Sequence, residues 1–366
     1  MSGIYSMSFQ RPHIEAMQGY VPGEQPQTAS VIKLNTNENP YPPSPLVQEA
    51  LNSIDIANLR RYPPPTAKEF RDVAAALHQV AAENIIPTNG GDELLRLVMT
   101  TFVGGNDIIA VTKPSYSLYP VLAEAQNSPL VEVELNDDWS MPEDFAKRLN
   151  TIGAKLAIVV NPHAPTGSLL TPDYLSAVAT TFNGLLLVDE AYVDFIDPEK
   201  GYDSAPLIKK HDNIILLRTL SKGYSLAGLR FGYGIGPESL ISPMMFKTRD
   251  SYNTDLIAQR LATAALKSVD YAATTWDKVR NSRALLTQRL EQLGLHCHPS
   301  QTNFLLTEVP TSPGAPALYE ALKAQNILVR HFDQDRLRHR LRISIGTEAE
   351  NTALVDALTT LLSPAK

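Results

Sequence analysis

The feature that most constrains this chain is a set of short strands that do not alternate. Leu156–Val160, Leu185–Val188 and Ile214–Leu217 are apolar at every position. A strand with one wet face shows a polar residue at every second position. A strand that is apolar throughout is covered on both faces, as in a parallel sheet packed between helices. The segments around these runs fit that reading. Further strands are expected at Ile85–Ile86, Asp107–Val111, Leu130–Leu135 and Phe231–Ile235. Helices are expected at Pro45–Ala57, Thr66–Val80, Gly91–Phe102, Ser115–Gln126, Pro142–Leu149 and Pro172–Phe182. Strand–helix alternation of this length predicts an α/β fold with right-handed crossovers and a mostly parallel sheet.

Past Gly236 the pattern changes. Helical periodicity dominates from Pro237 to Gly294, with a long helix over Tyr271–Leu293. An α+β pattern then closes the chain: strand Asn303–Thr307, helix Pro316–Ala324, strands Ile327–Arg330 and Leu341–Ile345, and helix Glu348–Leu362. We expect an extended N-terminal arm over residues 1–43, packed on the small domain or on a partner subunit. A large domain over 44–250 and a smaller α+β domain over 251–366 would follow.

Composition removes several function classes. The 366 residues are 43% hydrophobic and 19% charged, which is globular rather than disordered. The net charge is −7, without the basic run that tracks nucleic acid. No run of about 18 apolar residues suggests a membrane span, and Met1–Gln10 lacks the pattern of a secretory signal. The single cysteine, Cys297, rules out a disulfide within the chain and suits a reducing cytoplasm. It lies between His296 and His298, but successive strand residues point in opposite directions and do not converge on one ion. We expect no metal site.

Ligands of doubly wound sheets bind beyond the carboxyl ends of the strands, so residues just after strands are the candidates. Lys222 lies in the small-residue turn Ser221-Lys222-Gly223, with Arg230 eight residues on. A desolvated lysine there suits a Schiff base with a carbonyl, although a lone loop lysine usually just faces solvent. Asn89–Glu93 opens a helix whose free N–H groups suit a phosphate, and equally reads as a turn. Asn161–Gly167 holds two prolines and a glycine, which demands a rigid loop. Asp189 and Tyr192 follow another apolar strand, where an acid needs a partner. Together these groups suit a ring that carries a phosphate and an aldehyde, which is pyridoxal phosphate. Its ring nitrogen needs an anion, its aldehyde a lysine, and its phosphate N–H groups, hydroxyls and a cation.

The ordered motifs resemble the fold-type I pyridoxal-phosphate aminotransferases, and among them the histidinol-phosphate aminotransferase family. The resemblance runs from Leu34-Asn35-Thr36-Asn37-Glu38-Asn39-Pro40 to Leu341-Arg342-Ile343-Ser344-Ile345-Gly346. It implies that Lys222 is the covalent lysine and proton shuttle. Asp189 would pair with the pyridinium nitrogen, and Tyr192 would bond the phenolic oxygen. Tyr116 would stack on the ring. Gly91, Asp92, Thr219, Ser221 and Arg230 would surround the phosphate. Tyr62 would reach the phosphate in the neighbouring subunit of a homodimer. Arg342 and Arg330 would bind the substrate anion, with Tyr20 near the substrate side chain.

One position departs from the family. Its loop usually reads Asn-Pro-Asn-Asn-Pro-Thr-Gly, and the second internal Asn bonds the phenolic oxygen. Here that position is Ala164, preceded by His163. Asn161, His163 or a water is expected to substitute, so Asn161 joins the cofactor-binding candidates. His163 otherwise reads as a structural loop residue. With one donor fewer, the lysine–cofactor linkage should hold its proton to higher pH than in relatives. The resemblance implies transamination from histidinol phosphate to 2-oxoglutarate. Aromatic amino acids as donors, and a threonine-phosphate decarboxylase-like reaction, share the motifs. A non-catalytic binding module is disfavoured because Lys222, Asp189 and Arg230 are all present.

Overall fold

In this computed structural model, which describes residues 8–25 and 30–363, the strands fall into three sheets. The first strand, β1 (Ile32–Lys33), lies in the N-terminal segment. Seven strands build the central sheet: β2 (Ile85–Thr88), β3 (Ile108–Lys113), β4 (Leu130–Glu134), β5 (Ala154–Val160), β6 (Leu185–Asp189), β7 (Ile214–Thr219) and β8 (Gly232–Ile235). Their spatial order is β2-β8-β7-β6-β5-β3-β4. β3 to β7 run parallel, and β8 is antiparallel to both of its neighbours. Every residue of β6 is buried, and β7 is interrupted only at Arg218. That is the burial expected of strands with no polar side.

From β3 the chain moves outward to β4, then returns past β3 to β5 and proceeds the other way. The order therefore reverses between β3 and β5, and a crevice opens beyond their carboxyl ends. β3 leads to Ser115 and Tyr116, and β5 leads to the loop with Ala164. The sheet topology thus brings two of the sequence motifs to one place.

The second sheet is antiparallel, in the order β12-β13-β10-β9, from β9 (His296–Cys297), β10 (Phe304–Glu308), β12 (Arg330–His331) and β13 (Arg340–Ser344). The remaining strand, β11 (Ile327–Leu328), pairs in parallel with β1. Helices Val269–Gln292 and Glu348–Leu362 cover this part, and Leu34, Val279, Leu305, Ile343 and Leu354 share its core. Thr347 and Glu350 form a capping box at the start of the last helix, which fixes that boundary. Among the described residues no helix is long and apolar enough to cross a membrane.

Three expected elements differ. The strand expected over Ile327–Arg330 is two short strands with different partners, β1 for β11 and β13 for β12. The helix expected over Pro45–Ala57 stops at Asn52, because the Asp55 side chain accepts from the Ala57 N–H and starts a separate 3-10 turn, Ile56–Arg60. The N-terminal arm is not wholly extended: it holds the helix Pro12–Ala16 and the strand β1.

Candidate active site

The strand ends converge on a cavity of about 540 Å³ between the two main sheets. Lys222 projects into it from the turn after β7. Its Nζ donates to the Thr36 carbonyl at 2.8 Å. Burial, and then the nearby Arg342, pull its pKa down from the ordinary lysine value to about 8. Asp189 ends β6. Its Oδ2 accepts from the Tyr119 hydroxyl at 2.7 Å, and its Oδ1 from the Ala191 N–H at 3.1 Å. Burial raises its pKa to about 6, against the pull of those two bonds. Such a carboxylate gains most from a cationic partner, and no cation is paired with it among the described residues.

Tyr192 stands three residues further on. Its ring meets Phe304 edge-on at 5.1 Å, which fixes its plane. Its hydroxyl accepts from Asn37 Nδ2 at 3.0 Å. Tyr116 lines the same cavity, edge-to-face with Tyr20 at 6.0 Å and with Tyr119 at 5.5 Å.

A third group of residues forms an anion cradle. The helix Gly91–Phe102 begins here with its first N–H groups free, and Gly91 and Asp92 line the cavity. Thr219 Oγ1 bonds Ser221 Oγ at 3.0 Å, and Arg230 reaches Ser221 Oγ at 3.4 Å and Asp92 at 3.5 Å. The cradle is tight. Gly90 has φ +81°, and a Cβ there would lie 2.8 Å from the Arg230 guanidinium. Arg230 itself sits in the left-handed region at φ 58°, a strained backbone of the kind found where a side chain is held for function.

The opposite wall comes from the second sheet. Arg330 on β12 lies directly across from Arg342 on β13. Like charges opposed in this way destabilise a strand pair. Neither arginine has a carboxylate partner among the described residues. Instead both guanidiniums lie over the Phe332 ring, at 5.2 and 5.3 Å, and Arg342 also over Phe304 at 5.2 Å. Arg342 donates to the Asn35 carbonyl at 3.1 Å, but its buried Nε has no partner. The buried Ser115 hydroxyl, also on the cavity wall, has none either. Polar groups orphaned in this way are costly, and a bound anion would relieve Arg342.

Two expected residues lie elsewhere. Asn161 does not line the cavity: it is fully buried, its Oδ1 accepts from the Leu170 N–H at 2.7 Å, and its Nδ2 donates to the Leu170 carbonyl and to Tyr202 Oη. Its carboxamide is spent on holding the loop, so it does not replace the missing Asn. Tyr62 does not line this cavity either. It is 81% exposed and stacked on Tyr252 at 4.5 Å. His163 is buried, hydrogen-bonded to Thr166 at 2.8 Å and to the Pro114 carbonyl at 3.1 Å, and is a structural residue of the loop. Desolvation lowers its pKa to about 4, so it is neutral. Cys297 is buried in β9 beside Thr307.

Sequence reasoning missed Tyr119 and Asn37 as site residues. Tyr119 carried a usable signal, since it lies one helical turn after Tyr116. Asn37 lay inside a quoted motif, but its partner Tyr192 is 155 residues away.

Residues 29–358 match the family model of the class I and II aminotransferases. The chain belongs to this family. Among this aminotransferase's relatives, a histidinol-phosphate aminotransferase of Trichormus variabilis is 43% identical, over 96% of this chain and 98% of its own. One from Geotalea daltonii is 40% identical, over 95% and 98%. A solved histidinol-phosphate aminotransferase of Sinorhizobium meliloti, in complex with pyridoxal 5′-phosphate, shares the fold with a TM-score of 0.89. It is 24% identical, and the match covers 98% of both chains. An L-threonine-O-3-phosphate decarboxylase of Porphyromonas gingivalis also shares the fold, with a TM-score of 0.77 at 20% identity over 90% of this chain and 98% of that one. Fold alone therefore does not separate the two reactions. The cavity of this aminotransferase fits the family's cofactor, pyridoxal 5′-phosphate. It offers a desolvated lysine, a buried carboxylate without a cation, and a helix N-terminus with hydroxyls and an arginine. The protein is a pyridoxal-phosphate-dependent transaminase.

Proposed function

We propose that the amino donor is histidinol phosphate and the acceptor 2-oxoglutarate. The observation that carries this reading is the opposed pair Arg330 and Arg342, which faces the cavity with no acidic partner among the described residues. Two guanidiniums on one wall suit an anion that accepts several charge-assisted hydrogen bonds, such as a phosphate monoester or a dicarboxylate. The names of the relatives, at about 40% identity over nearly the whole chain, point to the same substrate.

Bound pyridoxal phosphate supplies an aldehyde that takes up amino groups and a ring that withdraws electrons from the substrate carbon. The chain supplies the rest. Lys222, with its lowered pKa, presents a neutral amine for the aldehyde. Lys222 Nζ, freed from the cofactor, would take the proton from the substrate carbon that bears the amino nitrogen and return it to the carbon on the other side of that nitrogen. Asp189, held by Tyr119, would keep a proton on the ring nitrogen. Tyr192 would donate to the phenolic oxygen, and Tyr116 would cover the ring. The N–H groups of Gly91 and Asp92, with Thr219, Ser221 and Arg230, would hold the phosphate. Arg330 and Arg342 hold the substrate's anion, and Tyr20 packs beside its side chain.

Assembly belongs to the same proposal. Tyr62 and Tyr252 form an exposed aromatic stack, and Ile56 and Leu59 are exposed in the turn just before it. We read this surface as the contact of a homodimer, in which Tyr62 completes the phosphate site of the partner. The one cysteine is a free thiol, and we place the enzyme in the cytoplasm.

A donor panel tests the reading. The yellow, cofactor-loaded enzyme is mixed with histidinol phosphate, phenylalanine, tyrosine or O-phosphothreonine, and bleaching is followed. Histidinol phosphate should give the highest kcat/KM, and 2-oxoglutarate should restore the colour. Faster bleaching by aromatic amino acids, or carbon dioxide released from O-phosphothreonine, would replace the substrate assignment.

A further inference from the structure

The loop position with Ala164 lacks the side-chain donor that the family motif places there, and neither Asn161 nor His163 is turned toward the cavity to replace it. A different carboxamide, that of Asn37, reaches Tyr192. Asn37 is 2% exposed, lies in the left-handed region at φ 57°, and lines the cavity. Three hydrogen bonds fix its orientation. Its N–H donates to Ser344 Oγ at 2.9 Å, and its carbonyl accepts from Asn303 Nδ2 at 2.8 Å. The Ser344 hydroxyl donates its own proton to Asn37 Oδ1 at 3.1 Å. Oδ1 is thereby committed to Ser344, and Nδ2 is the atom that faces Tyr192 Oη, at 3.0 Å.

A phenol has one proton. Because Tyr192 Oη accepts from Asn37, its own proton points elsewhere, and no acceptor for it exists among the described residues. We infer that Asn37, locked by Ser344, is a positioning residue that turns the Tyr192 hydroxyl into a dedicated donor toward the phenolic oxygen of the cofactor. In this chain the tuning that Ala164 gives up runs instead through the pair Asn37 and Tyr192. A donor in a hydrogen-bonded chain is polarised by the bond it accepts, so Asn37 also strengthens the bond that Tyr192 gives. The inference rests on the pyridoxal-phosphate reading above and deepens it.

The test reads colour rather than turnover. A hydrogen bond to the charged phenolic oxygen favours the unprotonated lysine–cofactor linkage, so losing it raises the pH at which the yellow form bleaches. The holoenzyme is titrated as parent, Asn37→Gly, Asn37→Asp and Tyr192→Phe, and as both Asn37 variants in the Tyr192→Phe background. Glycine tolerates the positive φ, so Asn37→Gly removes the carboxamide with little backbone strain. Asn37→Asp keeps the shape but offers only acceptors, so the Tyr192 proton turns away from the cofactor. Arg342, Arg230, Lys33 and Glu38 also act on Lys222, and the substitutions leave them in place. Tyr192→Phe and Asn37→Asp should each raise the midpoint by roughly one to two pH units, the worth of a hydrogen bond to a charged group. Asn37→Gly should raise it by roughly half a unit. In the Tyr192→Phe background Asn37→Gly should add nothing, and the Asn37→Asp shift should fall by at least half, leaving only the effect of its new charge. The inference is overturned if neither Asn37 variant moves the midpoint in the Tyr192 background. It is also overturned if both shift it equally in the two backgrounds. A parent protein that never turns yellow would sink the cofactor reading instead.

Discussion

At the scale of single residues, the chemistry rests on how much water each group has lost. Lys222 is held near a pKa of about 8 because burial removes the hydration of its ammonium and Arg342 adds like charge. The neutral amine is therefore about a tenth of the population at pH 7 and about half at pH 8. The cofactor-free protein should capture pyridoxal phosphate at a rate that climbs with pH through about 8 and then levels off. Stopped-flow absorbance over a pH series checks this, and a rate still rising steeply at the ordinary lysine value would contradict it. Residues of this kind were readable in the sequence as a set rather than singly, since each alone also reads as a turn, a cap or a solvated side chain, while several of them just after apolar strands point to one crevice. Asn161 was not. Sequence shows that a carboxamide is present but not which way it turns, and here Tyr202 and the Leu170 backbone claim it.

At the scale of elements, one buried ion pair braces the strand that carries Asp189. Glu190, the next residue, is 1% exposed, and its carboxylate accepts from Arg218 of β7 and from Tyr202 Oη, both at 2.6 Å. Tyr202 in turn accepts from Asn161. The chain of bonds ties β6 and β7 to the loop that carries Ala164. Arg218→Met leaves an uncompensated buried carboxylate and should cost about 3–5 kcal/mol of unfolding free energy. Adding Glu190→Gln should recover more than half of that loss, because the charge leaves while an acceptor remains for Tyr202. Urea unfolding of both variants measures it, and a double variant no more stable than the single one would show that the charge was not the cause. The inner strands of the central sheet were legible because fully buried strands are apolar throughout, whereas the edge strand β4 alternates. Element ends were less so. The split between β11 and β12 depends on which neighbour each backbone pairs with, and the stop at Asn52 depends on one aspartate side chain. Neither leaves a mark in hydrophobic periodicity.

At the scale of the whole molecule, the proposed homodimer makes each site depend on two chains, which a mixing experiment can resolve. Tyr62 is outside its own chain's cavity and 81% exposed. If it serves the partner's phosphate site, Lys222→Ala and Tyr62→Ala should each be defective alone, the first in chemistry and the second in retaining the cofactor. Unfolded together and refolded as a mixture, the two should complement. In a hybrid dimer the site with an intact Lys222 receives Tyr62 from the Lys222→Ala subunit, and so regains every group. An isologous dimer reassorting at random should recover about a quarter of the parent's complete sites. Transaminase activity after dialysis, which only a complete site supports, gives the number. If Tyr62 acted within its own chain, the hybrid would contain no complete site, and the mixture would be no more active than the two variants measured separately.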